Sequence, residues 1–131
     1  GVMLDLDGLV VRWLDTAGLG DTDDAAERRS IHAHAQEQTR RLAVSADLVL
    51  HIADATEGCP PGLIGVAQGV ELRVIASKID LLSSDSCWGS WADAGCSSMQ
   101  PAAVRSLAQS VRRWLVPDEA LVSDEPWRFW S

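Results

Sequence analysis

Two apolar runs, Gly1 to Leu6 and Leu9 to Leu14, open the chain and flank the dipeptide Asp7-Gly8. Both residues of that pair tolerate positive φ, so the spacing predicts two strands joined by a two-residue hairpin turn. Leu19 to Asp24 is polar, and a helical pattern runs from about Ala25 to Ser45. Ile31, Ala35, Leu42 and Ala46 fall near one face of it, while Arg28, Arg29, Glu37, Arg40 and Arg41 keep the rest solvated. Leu48 to Ala53 is apolar on both faces apart from His51, as a central parallel strand is. A loop from Asp54 to Pro61 and a short helix over Pro61 to Gln68 lead to the next strand, Leu72 to Ala76. Ser83 to Gly95 is weakly patterned, and Cys96-Ser97-Ser98 reads as a short strand end with its loop. Pro101 to Leu115 is the most regular helix, with proline in its first turn and Val104, Leu107, Ala108, Val111 and Leu115 on one stripe.

The order β-β-α-β-α-β-(α)-β-α predicts an α/β fold in which an antiparallel hairpin joins a mostly parallel sheet with helices on both faces. Residues 1–116 read as one domain and 117–131 as an acidic, tryptophan-containing tail or linker. With 47% hydrophobic residues in 131, an ordinary core is within reach. No run approaches the roughly 18 apolar residues of a membrane span. A net charge of −8 argues against this segment gripping a phosphate backbone. Cys59, Cys87 and Cys96 are odd in number and form no C-x-x-C pair, so a reduced, cytoplasmic setting is expected. His32 and His34, two apart on a helix, point away from each other and share no metal.

Three candidate loops follow apolar strands, where ligands gather in open α/β sheets. They are Asp15-Thr16-Ala17-Gly18, Ser77-Lys78-Ile79-Asp80 and Ser97-Ser98. A strand ending in D-T-A-G, followed by one ending in [NTS]-K-x-D, is the order of two nucleotide-contacting loops in a GTPase. Asp15 offers hard carboxylate oxygens to orient Mg²⁺, mostly through water. Gly18 lets a backbone N–H approach a γ-phosphate because no Cβ stands in the way. Asp80 can accept from both N1–H and N2–H₂ of guanine, donors that adenine lacks at those positions, and an unpaired buried partner costs about 1–3 kcal/mol. Lys78, the only lysine in the chain, can lay its stem along the base plane. A loop of the form G-x-x-x-x-G-K-[ST] needs a second lysine, so none lies within these residues. The expectation is the downstream part of a GTPase domain without its first strand, phosphate-binding loop and first helix, inactive in hydrolysis by itself and marginal in stability.

Asp15 to Leu19, the acidic Asp21 to Asp24, Glu27, and Ala46 to Leu50 together resemble the G domain of the tRNA-modification GTPases of the MnmE (TrmE) type, in the Era-like branch of translation-factor-class GTPases. The resemblance covers about Gly1 to Leu115 and implies a P-loop NTPase-type sheet, binding of GTP and GDP, and Mg²⁺ oriented by Asp15. Asp15, Thr16, Ala17 and Gly18 match its phosphate-contacting switch II loop. Glu27 falls where the family keeps the glutamate that positions the hydrolytic water. Ser77, Lys78 and Asp80 match its base-recognition motif, and Ser97 and Ser98 its Ser-Ala loop. It further implies K⁺ at a G-domain homodimer interface, and a parent protein that works with a flavin-dependent partner on the wobble uridine of tRNA. Ser77 stands where the family has asparagine and Ser98 where it has alanine. The alternative is a degenerate GTPase fold kept as an interaction or scaffold domain without nucleotide hydrolysis.

Overall fold

The computed structural model describes residues 1–16, 34, 37–60 and 69–122. The expected short helix over Pro61 to Gln68, the first part of the long helix, and Trp127 and Trp130 lie outside the described residues. Strands β1 (Val2–Leu6) and β2 (Leu9–Trp13) form an antiparallel hairpin in the register Leu6 to Leu9 and Val2 to Trp13. Its turn is the one the dipeptide predicts: Asp7 has φ 53° and Gly8 φ 90°, and the Gly8 N–H donates to Asp5 Oδ1 at 2.6 Å. Along β2 the strand period is plain, with Leu9, Val11 and Trp13 half-buried and Val10 and Arg12 exposed.

Residues 37–44 form helix α1, the described end of the long helical pattern. Strands β3 (Leu48–Asp54), β4 (Glu71–Ser77) and β5 (Ala94–Gly95) then make a parallel sheet in that order. β3 and β4 pair along their whole length, from Leu48 opposite Glu71 to Asp54 opposite Ser77. β5 is short, yet Asp93 extends its hold: Asp93 N–H donates to Val74 O at 2.8 Å, and Val74 N–H to Asp93 Oδ2 at 2.7 Å. Gly95 is required by a close approach, because a Cβ there would sit 2.7 Å from Cη2 of the Trp88 indole.

Helix α2 (Pro101–Leu115) has the bounds that the apolar stripe predicts, with proline in its first turn and Arg112 and Arg113 in its last, where cations suit the helix dipole. It packs on both β5 and β1, and so spans the hairpin and the parallel sheet. On one side Trp114 lies under the Arg73 guanidinium, 5.3 Å from ring centroid to cation. A short helix, α3 (Asp118–Leu121), lies near the start of residues 117–131, the segment that the sequence marks as an acidic tail or linker.

One expectation is corrected. Among the described residues the hairpin does not join the parallel sheet but forms a separate two-stranded sheet, and β3 is an edge. A cleft of about 650 Å³ lies between the sheets. It is bounded by β2 and Leu14 just after it, by Asp47 and the first residues of β3 (48–50), by α1, and by Val111 and Leu115 of α2. The sequence pattern alone marks β3 as central, because the strand is apolar on both faces; among the described residues it has one strand partner, β4.

Among the described residues the buried set is small: Ala53, Ala55, Ile75, Ala76 and Val111, with Ser97 its one polar member. Ile75, 1% exposed, is its largest side chain. Truncating a buried isoleucine leaves a cavity that costs about 2–5 kcal/mol. Ile75→Ala is therefore expected to lower the unfolding free energy by that amount in a denaturant titration. A loss below about 1 kcal/mol would place the core elsewhere.

Candidate functional site at the strand tips

β3, β4 and β5 run in the same direction, so their carboxyl ends form one row, and each end carries a polar loop. At the tip of β4, Ser77 is half-buried and its hydroxyl donates to Ala53 O at 2.9 Å, tying β4 to β3 just where the ladder stops. Lys78 follows in the left-handed conformation, φ 58° and ψ 32°. That conformation costs a residue with a Cβ about 1–2 kcal/mol, so the surroundings must hold it. Leu81 N–H donates to Lys78 O at 3.0 Å and closes a 3-10 turn over Ile79–Leu81, in whose first turn Asp80 is exposed.

The tip of β5 lies against that turn. Cys96 N–H donates to Ala76 O at 2.8 Å and Ile79 N–H donates to Cys96 O at 3.4 Å, so the Ser77–Asp80 loop and the Ser97–Ser98 loop are joined through backbone. Ser97 is 2% exposed and its hydroxyl accepts from Met99 N–H at 3.1 Å; Ser98 is exposed. This arrangement leaves Ser98 and Asp80 facing water from two connected turns, with Lys78 beside them.

The tip of β3 supplies a residue, Asp54, that the sequence pattern places in a loop. Asp54 caps the 3-10 turn Ala55–Glu57: its Oδ1 accepts from Thr56 N–H at 2.9 Å and from Thr56 Oγ1 at 2.6 Å. Its Oδ2 takes the Lys78 ammonium at 2.5 Å. The hydrogen bonds from Lys78 and then Thr56 hold the Asp54 carboxyl down at about 2, and the same bond raises the Lys78 ammonium above its usual value. A usable signal was in the sequence. Asp54 ends an apolar strand as Asp15 does, with a threonine two residues on that suits an Asx turn.

Of the other expected site residues, Asp15 and Thr16 follow β2 and are exposed. Thr16 lines the cleft, and no described hydrogen bond ties either residue to the β3–β5 tips. Ala17, Gly18 and Glu27 lie outside the described residues. Among the described residues no group of three His, Cys, Asp or Glu side chains could hold a metal ion. Nor is any described helix long and apolar enough to cross a membrane.

The Asp54 shift carries a pH signature. A carboxyl depressed in the folded state stabilises the fold fully above its ordinary value of 3.8, and that contribution fades as pH falls through the folded value of about 2. Asp54→Asn is expected to flatten the stability-against-pH curve between about pH 4 and pH 2. Parallel curves for the two proteins would mean that the carboxylate is not held as described.

No family model matches the chain, and no solved structure matches it. Curated relatives do. The tRNA modification GTPase MnmE of Rhodopseudomonas palustris is 37% identical over 84 residues, covering 64% of this chain and 17% of the relative. The MnmE of Nitratidesulfovibrio vulgaris (strain DP4) is 35% identical over 117 residues, 83% of this chain and 24% of the relative. The GTPase Der of Glaesserella parasuis serovar 5 is 29% identical over 112 residues, 79% of this chain and 21% of the relative. The chain thus spans a quarter or less of the length of these relatives. With a parallel sheet flanked by helices and these identities, the chain belongs with the MnmE-type GTPases, as a segment of their α/β, P-loop NTPase-like G domain.

Proposed function

We propose that residues 77–80 and 96–98 form the guanine-recognition end of a GTP-binding and GTP-hydrolysing domain, and that Asp15 to Gly18 with Glu27 form its phosphate and switch II side. The observation that carries this reading is the backbone bond from Ile79 N–H to Cys96 O. It locks the turn bearing Asp80 to the loop bearing Ser98, so an acceptor for the guanine N1–H and N2–H₂ edge and a set of backbone donors for its oxygen share one small surface. In this reading Asp80 selects guanine, the Lys78 stem covers one face of the base, and the backbone around Ser97 and Ser98 meets the guanine oxygen. Ser77 has its hydroxyl committed to Ala53 O, so it braces the strand tip and leaves selection to Asp80.

The cleft between β2 and β3 supports the phosphate side of the reading. Among the described residues β2 pairs only with β1 and β3 only with β4, so each has one edge without a strand partner, and backbone donors and acceptors enclosed between apolar walls demand partners. One further strand, supplied by polypeptide outside residues 1–131, would pair with both edges, place a phosphate-binding loop beside Asp15, and complete the core. Mg²⁺ fits as an ion that arrives with the nucleotide: Asp15 gives it one carboxylate through water, while phosphate oxygens and water supply the rest. Residues 1–131 without that strand are expected to bind nucleotide weakly and not to hydrolyse it. K⁺ activation, a G-domain homodimer, and action on tRNA with a flavin-dependent partner in the cytoplasm belong to the same proposal for the intact protein. They rest on its resemblance to the MnmE-type GTPases.

The Ser77 bond to Ala53 O also gives a second reading its footing: a GTPase fold whose base loop has become structural and which serves as a nucleotide-independent interaction domain. Equilibrium binding of GDP and ADP to the intact protein separates the two. The GTPase reading expects strong preference for GDP, lost by at least tenfold in Asp80→Ala because one or two buried polar groups of the base go unpaired at about 1–3 kcal/mol each. Equal affinity for GDP and ADP, or no binding of either, supports the scaffold. Glu27→Ala is expected to slow GTP hydrolysis while leaving GDP affinity unchanged; loss of binding would give Glu27 a structural role instead.

A further inference from the structure

Lys78 is held at both ends. Its backbone is in the left-handed region, a conformation that long side chains seldom adopt, and its ammonium is bound to Asp54 on the neighbouring strand. Asp54 lies opposite Ser77 in the β3–β4 register, one residue before Lys78, so the lysine stem runs across the two strand tips. The anchor is itself fixed. Thr56 occupies Oδ1 with both its N–H and its hydroxyl, which orients the carboxylate and leaves Oδ2 for the ammonium. Glu57, in the same 3-10 turn, adds a second negative charge acting on Lys78. Meanwhile the Lys78 side chain remains largely exposed, at 58%, so its stem is accessible while its end is tied. A free lysine stem samples many rotamers and loses that freedom when a flat ligand settles on it; a stem already tied at its tip has less to lose.

We propose that Asp54 is a positioning residue for nucleotide binding: oriented by Thr56, its carboxylate pins the Lys78 ammonium so that the stem stands as a preformed platform for a guanine base. Asp54 acts only through Lys78 and does not itself touch the nucleotide. The proposal rests on the reading of residues 77–80 as the guanine loop, and deepens it by adding the tip of β3 to the site. It also gives the Asp54-Ala55-Thr56 sequence a function that its place in a loop does not suggest.

The test is a double-mutant cycle on the intact protein, with GDP as the probe. Asp54→Asn keeps the size and the Oδ1 acceptor for Thr56 and removes the charge that holds the ammonium. It is expected to weaken GDP binding by about threefold to tenfold, the scale of one rotamer-rich side chain that must be ordered on binding. In a Lys78→Met background the same change is expected to have no further effect, because its route is gone. A readout that a merely structural role would not move comes from the Lys78 ε-amine itself, whose signal in a ¹⁵N-lysine spectrum and whose acylation site in the intact protein are identified by their loss in Lys78→Met. Asp54→Asn is expected to lower its titration midpoint and speed its acylation at fixed pH, with the thermal unfolding of the variant confirming that it is folded. Equal losses from Asp54→Asn in both backgrounds, or an unchanged GDP affinity with an unchanged Lys78 titration, would overturn the proposal and leave the guanine reading standing. Absence of GDP preference in the unaltered protein would overturn both.

Discussion

The parallel pairing of β3 with β4, continued one residue beyond the ladder by side chains, is what the site depends on. Where the backbone register ends at Asp54 and Ser77, the Ser77 hydroxyl takes up Ala53 O and the Lys78 ammonium takes up Asp54. These two bonds stop the strand tips from fraying apart and hold a left-handed lysine in place. From there the turn at Ile79 to Leu81 is set, and the Ile79 N–H reaches Cys96 O to bring in the tip of β5. Exposed ion pairs by themselves contribute little. This one counts through geometry, because its carboxylate is oriented by Thr56 and its lysine is covalently next to the serine that bridges the strands.

The hairpin and helix α2 were legible in sequence for local reasons. Asp7-Gly8 dictates its own turn, and the residues at positions 104, 107, 108, 111 and 115 make one stripe that only a helix aligns. The strands β3 and β4 were legible as apolar runs, each longer in the structure by a residue or two at its ends. Two features were not. The separation of the hairpin from the parallel sheet is a matter of what lies between them, and no pattern within β2 or β3 records an absent neighbour. Asp54 was read as loop because a capping aspartate and a lysine 24 positions away carry no local periodicity; only the register of β3 on β4 brings them together.

The base loops and the small core make different demands on the rest of the molecule. The β3–β5 tips are braced by backbone and side-chain bonds among the described residues, and no buried side-chain polar atom there lacks a partner. Packing is thinner: among the described residues three of the five buried apolar ones are alanines, and Val2, Met3 and Val10 of the hairpin stand more than half exposed. A segment with a well-satisfied site and an under-filled interior fits a domain whose core is finished by additional chain, in line with relatives several times its length.

The most direct measurement is a structure of the intact protein with GDP bound. The account predicts the base edge on the Asp80 carboxylate, the ring against the Lys78 stem with its ammonium still on Asp54, and an added strand filling the cleft between β2 and β3. A guanine bound away from residues 77–80 and 96–98, or a cleft left open in the intact protein, would contradict it.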